Sequence, residues 1–219
     1  MDVNTDYITT SAEDGARAPE GNPRLRADSA DHDQGGMIAE IDLGQDLRLR
    51  TLTTHDVALV VAATGTEPAR ALWGPHLGPY TPRDARAALD AWDPAAGRQA
   101  SYGIIERDRL LGALGLMIDG PDSAELAYWV RPESRRQGLA LRGVNALTRW
   151  THNELGLDRI WLEIDPTNTP SLSLADRAGY QYEQRLPRHC RAWTSPDPDS
   201  DTWHDCMIWA HTNLTTSAT

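Results

Sequence analysis

Between Ala124 and Ala140 the chain reads Ala-Glu-Leu-Ala-Tyr-Trp-Val-Arg-Pro-Glu-Ser-Arg-Arg-Gln-Gly-Leu-Ala, and no other stretch limits the fold as tightly. The first seven residues suit a strand, and Arg131-Pro132 stops it. After Gly138 the apolar spacing turns helical: Leu141, Val144, Leu147, Thr151 and Leu155 recur every three or four residues, with Gly156 as the stop. A strand that passes through a basic, glycine-bearing loop into a long helix has the makings of a pyrophosphate cradle. Gly138 lets the backbone approach an anion, and the N–H groups of the first helical turn face outward. Arg135 and Arg136 add charge and forked donors, and Ala140 keeps the helix start small. The loop lacks the Lys-Ser/Thr pair of a P-loop and the Gly-x-Gly-x-x-Gly of a dinucleotide site.

The flanking segments read as alternating elements. Strands are expected at 47–52, 100–106, 109–117, 124–130, 159–165, 180–185 and 205–210, with Arg107-Asp108 as a hairpin turn. Helices are expected from Thr54 or His55 to Ala63, from Pro82 to about Trp92, and from Thr169-Pro170 to Gly179. Residues 187–203 read as an acidic insertion. The order β-α-α-β-β-β-α-β-α-β-β implies an α/β (α+β) fold on a mixed sheet. Order is expected to begin near Met37. Residues 1–36 carry eight acidic groups against three Arg and no periodicity, so they read as a disordered tail; 37–212 read as one domain and 213–219 as a C-terminal tail.

Charge and composition remove several classes of function. The net charge of −11, from 32 acidic and 21 basic residues, argues against a nucleic-acid binder. No apolar run approaches the roughly 18 residues of a membrane span, and the start of the chain carries no secretory h-region. Every basic residue is Arg, which leaves no Lys for Schiff-base chemistry. Cys190 and Cys206 show no metal-ligand spacing, so no metal is expected and a cytoplasmic, reduced chain is the default. The acidity of Asp197, Asp199, Asp201 and Asp205 suits a solvated loop better than a cation site.

The 124–140 stretch, together with Asn168, Ser171 and Gly179-Tyr180 in that order and the opening Leu47-Arg-Leu-Arg-Thr-Leu, resembles the GNAT N-acetyltransferases, most closely their RimJ/RimL-like branch. The resemblance covers about residues 45–211. It implies a mostly antiparallel twisted sheet with splayed central strands flanked by helices, and acetyl transfer from acetyl-CoA to an amine. The acceptor would be a small molecule or a protein or peptide N-terminus. The pyrophosphate would lie on Arg135, Arg136, Gln137, Gly138, Leu139 and Ala140, and the pantetheine arm along the edge at Trp129, Val130 and Arg131.

The resemblance also suggests roles for single residues. Glu125 is placed as base or water-positioner, or as a structural ion-paired Glu. Ser171 is placed near the departing sulfur, or as a helix-start residue. Asn168 is a cofactor-side hydrogen-bonder, or an Asx-type turn residue. The branch carries a carboxylate where this chain reads Arg188-His189-Cys190-Arg191, so His189 competes for the proton-transfer role, and Cys190 reads as a small buried residue. Trp129, Trp161 and Trp209 read as core; Trp73, Trp92 and Trp203 lie in or near loops that line the acceptor groove in this fold. The rival reading is a non-catalytic acyl-CoA-binding or partner-interaction module of the same fold. The fold often dimerises, but nothing in the sequence specifies a homodimer.

Overall fold

Tight turns and strand alternation build one half of the molecule, and a single long helix organises the other. The computed structural model describes residues 36–74, 76, 78–192 and 202–213. Its strands are β1 (Glu40–Gly44), β2 (Leu47–Thr51), β3 (Gln99–Glu106), β4 (Arg109–Ile118), β5 (Ser123–Val130), β6 (Arg159–Ile164), β7 (Gln181–Ala192) and β8 (Thr202–Thr212). They form one sheet in the order β1-β2-β3-β4-β5-β6-β8-β7. Every neighbouring pair is antiparallel except β5 and β6, which run parallel.

Alternation decides which side chain meets which layer. On one face α4 (Leu139–Glu154) and α5 (Thr169–Arg177) cover a core in which Val144 and Leu147 join Leu126, Leu162 and Ile164. Gly143 lets α4 lie close to the sheet, because a Cβ there would stand 2.9 Å from Leu114 Cδ1. On the opposite face α1 (Val57–Ala63), α2 (Arg70–Trp73) and α3 (Pro82–Ala91) bury Val60, Leu72, Leu89 and Trp92 against Ala113, Ala127 and Trp129. Thr81 and Asp84 cap α3 reciprocally, with Pro82 in the first turn. Met37 is buried, and its carbonyl accepts the Tyr102 hydroxyl at 2.9 Å.

Several expectations change. β1 was not expected: its turn passes through Gln45 and Asp46, at φ 58° and 62°, where sequence reasoning looks for Asn-Gly or Asp-Gly. The guanidinium of Arg142 on α4 holds that turn by donating to the carbonyls of Leu43 and Gly44. α2 is one short turn without a cap signal, and it too was missed. The last two strands are longer than expected, so much of the supposed insertion is strand. Cys190 and Cys206 are buried across this hairpin and joined by a disulfide, against the expected reduced pair. Trp92 is core, not groove lining, and Trp203 is 48% exposed. Asp197, Asp199 and Asp201 lie outside the described residues, as do the terminal tails apart from Gly36 and Asn213. Among the described residues no helix is long and apolar enough to cross a membrane.

Candidate active site

The site begins where two strands part. β5 and β6 pair only at Ser123–Arg159, Ala124–Ile160 and Glu125–Trp161. Beyond Glu125, β5 keeps its partner β4 as far as Val130, while β6 keeps β8. The edge of β5 from Leu126 to Val130 therefore faces a cleft, with backbone groups available to an extended ligand. Trp129 and Val130 lie on that edge, and Arg131 follows it.

The mouth of the cleft on the α4 side is made of backbone. Gly138 is the N-cap of α4 at φ 76°, and a Cβ there would meet nothing within 4 Å. No side chain caps this helix, so the first-turn N–H groups, Leu139 and Ala140 among them, have no partner from within it. Arg136 is exposed and also left-handed, at φ 61°. Backbone strain of that kind at a non-glycine residue collects at ligand clamps. Gln137 donates to the Glu133 carbonyl at 3.3 Å and so braces the loop.

Arg135 has partners within the chain. Its Nε donates to the Val130 carbonyl at 3.0 Å, and its guanidinium pairs with Glu67. Glu67 also accepts the Trp129 indole N–H at 3.0 Å. Arg135 thus ties the cradle loop to the end of β5 and to the segment before α2. Arg131 pairs with Glu133. Of the three, Arg136 is the exposed one that points its charge at solvent beside the helix start.

Ionisable groups collect at the fork on the face of α1–α3. Glu125 and Trp161 are register partners, so Glu163, two residues further along β6, projects from the same face. Both carboxylates are buried, at 6% and 3% exposure. Among the described residues, Oε1 of each has no hydrogen-bond partner. Burial pushes Glu163 up to about 7. Burial, then the charges of Glu163 and Asp119, holds Glu125 well above the usual carboxylate range. Neighbouring buried carboxyls resist ionising together, so the two titrate as a coupled pair. His189, on β7, stands with Nε2 3.3 Å from Glu163 Oε1. The two residues that competed for the proton-transfer role in the sequence, Glu125 and His189, are bridged by a third.

Glu163 was the residue missed. Its signal was present but weak: an acidic residue in an apolar strand run, Ile-Trp-Leu-Glu-Ile, where a charge has no place unless it has a task. Asn168 is buried, and its side chain accepts from the Ser171 N–H at 3.2 Å, which caps α5. Ser171 is half-buried in the first turn of that helix, beyond the end of β6. Asp205 accepts from Arg185 Nε at 2.8 Å and the Arg188 N–H at 2.9 Å, so it serves the hairpin.

Residues 46–181 match the family described as acetyltransferase (GNAT) domain. Over 94 residues the chain is 32% identical to an uncharacterized N-acetyltransferase of Bacillus licheniformis, a stretch that is 41% of this chain and 53% of the relative. The match thus spans about half the length of that curated relative. Among solved structures, it is similar to ribosomal-protein-S5-alanine acetyltransferase from Vibrio fischeri, at TM-score 0.69 and 15% identity over 81% of this chain and 98% of that one. It is also similar to Mycobacterium smegmatis RimJ in complex with CoA-disulfide, at TM-score 0.64 and 20% identity over 79% of this chain and 85% of that one. At these identities the likeness is one of fold.

Proposed function

The chain belongs to the GNAT acetyltransferase family, and from that premise we propose that it is an acetyl-CoA-dependent N-acetyltransferase acting on a primary amine in the cytoplasm. The amine would belong to a protein or peptide N-terminus or to a small molecule. The observation that carries the reading is the fork: β5 and β6 pair for three residues and then part, with two buried carboxylates at the parting.

The acyl carrier would supply an activated thioester. The chain's own groups would do the rest. The free edge at Trp129, Val130 and Arg131 would hold the carrier's extended arm, and its amides would be the donors toward the acyl oxygen. The cradle at Arg136, Gln137, Gly138, Leu139 and Ala140 would take its anionic end, with Arg135 holding the loop in place. An amine attacks only when neutral, so a proton must leave it. Glu163 at Oε1 is the acceptor in this reading, with His189 beside it to pass the proton toward solvent. Glu125, whose ionisation burial opposes, orients the pair. Asn168 fixes the start of α5 so that Ser171 lies where a departing thiolate would need a donor.

A thiol-release assay with acetyl-CoA against an amine panel, with products identified by mass spectrometry, tests this. Turnover with a primary amine supports it. Tight acetyl-CoA binding without thiol release from any amine overturns the enzymatic reading and leaves a binding module of the same fold.

A further inference from the structure

Two cysteines and a histidine meet on one face of the β7–β8 hairpin, and the acetyl-transfer reading uses none of them. Cys190 stands opposite His204 in the register of the two strands. Cys206 follows His204 by two residues and so shares its face. The ladder is irregular between Leu186 and Cys190, with Arg188 at φ 51°. Beyond that irregularity Cys190 is fully buried, as is Cys206. The disulfide joins residues whose Cα atoms are 5.8 Å apart. One ligand atom each from Cys190, His204 and Cys206 lies within 4.8 Å of the other two.

An anchored carboxylate lies beside the imidazole. His204 Nε2 is 3.2 Å from Asp165 Oδ2, just beyond the end of β6. Oδ1 of the same carboxylate accepts from the Thr167 N–H and hydroxyl, each at 2.7 Å. A carboxylate beside a histidine is the kind of partner that can orient a metal-ligating imidazole.

We propose that, with the disulfide reduced, Cys190, Cys206 and His204 bind one soft divalent transition-metal ion, zinc in the first instance. Two thiolates and an imidazole select zinc-class ions over magnesium or calcium. Zinc imposes no geometry of its own beyond a four-coordinate preference, so three protein ligands and a solvent molecule satisfy it. With Zn–S at about 2.3 Å, tetrahedral binding needs the sulfurs about 3.7 Å apart. That separation fits inside the cluster once the S–S bond is broken. The ion and the disulfide compete for the same two sulfurs, and the oxidised pair has no thiolate to offer. A phosphine reductant cleaves the bond by taking an oxygen from water, which leaves two thiols and a phosphine oxide. The ion then displaces the two thiol protons.

The test uses the full chain, reduced with phosphine under argon, desalted and titrated first with cobalt(II) and then with zinc(II). Thiol titration monitors the two cysteines. The expected result is one cobalt per chain with a thiolate-to-cobalt charge-transfer band, lost on displacement by zinc. Cys190→Ser and Cys206→Ser are each expected to abolish the band and weaken zinc at least 100-fold. Asp165→Asn is expected to weaken it roughly 10-fold, the usual effect of removing a partner of a ligating histidine. Oxidised wild-type protein is a control that needs no substitution, and it is expected to show no band. The proposal is overturned if the reduced chain binds cobalt no better than the oxidised chain or shows no thiolate band. It is also overturned if the disulfide resists the phosphine in the folded protein.

Discussion

The cradle and the fork lie on two sides of one cleft and are made in opposite ways. The cradle is backbone: a left-handed glycine, an uncapped helix start and a bare strand edge, all within Ala124–Ala140. The fork is side chains: Glu125 from β5, Glu163 from β6 and His189 from β7, 64 positions apart from first to last. A backbone site needs few particular residues, but those few must stand in one short order. A side-chain site needs particular residues that only tertiary structure brings together. Damage should therefore differ in kind: cradle substitutions should act on carrier affinity, and fork substitutions on rate and its pH dependence.

The largest expected effect lies in the cradle. Gly138→Glu adds a carboxylate that projects into the open space in front of the helix start and repels an anion, and it strains a position at φ 76°. Calorimetry should find acetyl-CoA affinity down by more than about 100-fold, the equivalent of roughly 3 kcal/mol. Wild-type affinity in this variant removes the cradle from the reading.

Next comes Glu163→Gln, which keeps shape and removes the charge. The maximal rate should fall about 100-fold or more, the range for losing a general base, with acetyl-CoA affinity unchanged. In wild type the rate should rise with pH through a limb near 7, because Glu163, pushed up to about 7, must first lose its proton. The variant should lack that limb. Glu125→Gln should keep it, since burial and the charges of Glu163 and Asp119 hold Glu125 well above the usual carboxylate range. If the limb persists in Glu163→Gln and vanishes in Glu125→Gln, the two carboxyls exchange roles.

This contrast also explains what the sequence disclosed. The loop and helix start of the proposed cradle could be picked out because their parts are contiguous, and the helix stop at Gly156 and the cap at Thr81 were readable for the same reason. The fork was half readable: Glu125 and His189 stood out, but as rivals, because nothing in one dimension shows that Glu163 lies between them. The disulfide was hidden in the same way, since the register that sets Cys190 beside Cys206 depends on an irregular ladder no spacing rule predicts. Arg135 shows the opposite limit. A basic residue in an anion loop suggests a ligand contact, and only the structure reveals Glu67 as its partner.

Arg135 and Arg136 sharpen the comparison at a smaller scale. Arg136→Ala should weaken acetyl-CoA binding by about 1–3 kcal/mol, the range for hydrogen bonds to charged groups, and leave thermal stability alone. Arg135→Ala should lower the thermal midpoint as well, because it frees Glu67 and unties the loop from Val130. Equal midpoints for the two variants would mean that the Arg135–Glu67 brace contributes nothing to the fold.

The smallest effect separates the two regions by stability alone, without substrate. Glu163 has a pKa of about 7 in the fold against 4.5 as an unperturbed carboxyl. Between those values the native state holds a proton that the unfolded chain has released. Stability supplied by this group is therefore complete below about pH 4.5 and is lost as pH rises toward 7, above which the loss is constant. Gln cannot ionise, so Glu163→Gln should show a flatter profile. It should be more stable than wild type by about 1–3 kcal/mol near pH 8, with the difference closing toward pH 4. Gly138→Ala, in the cradle, should shift stability by the same amount at every pH, because it changes backbone strain and no titrating group. Denaturant midpoints for the three proteins between about pH 4 and 8 distinguish the cases. Parallel curves for wild type and Glu163→Gln would show that Glu163 is already ionised in the fold at acid pH, held so by His189 at 3.3 Å, and the proton acceptor at the fork would then have to be sought elsewhere.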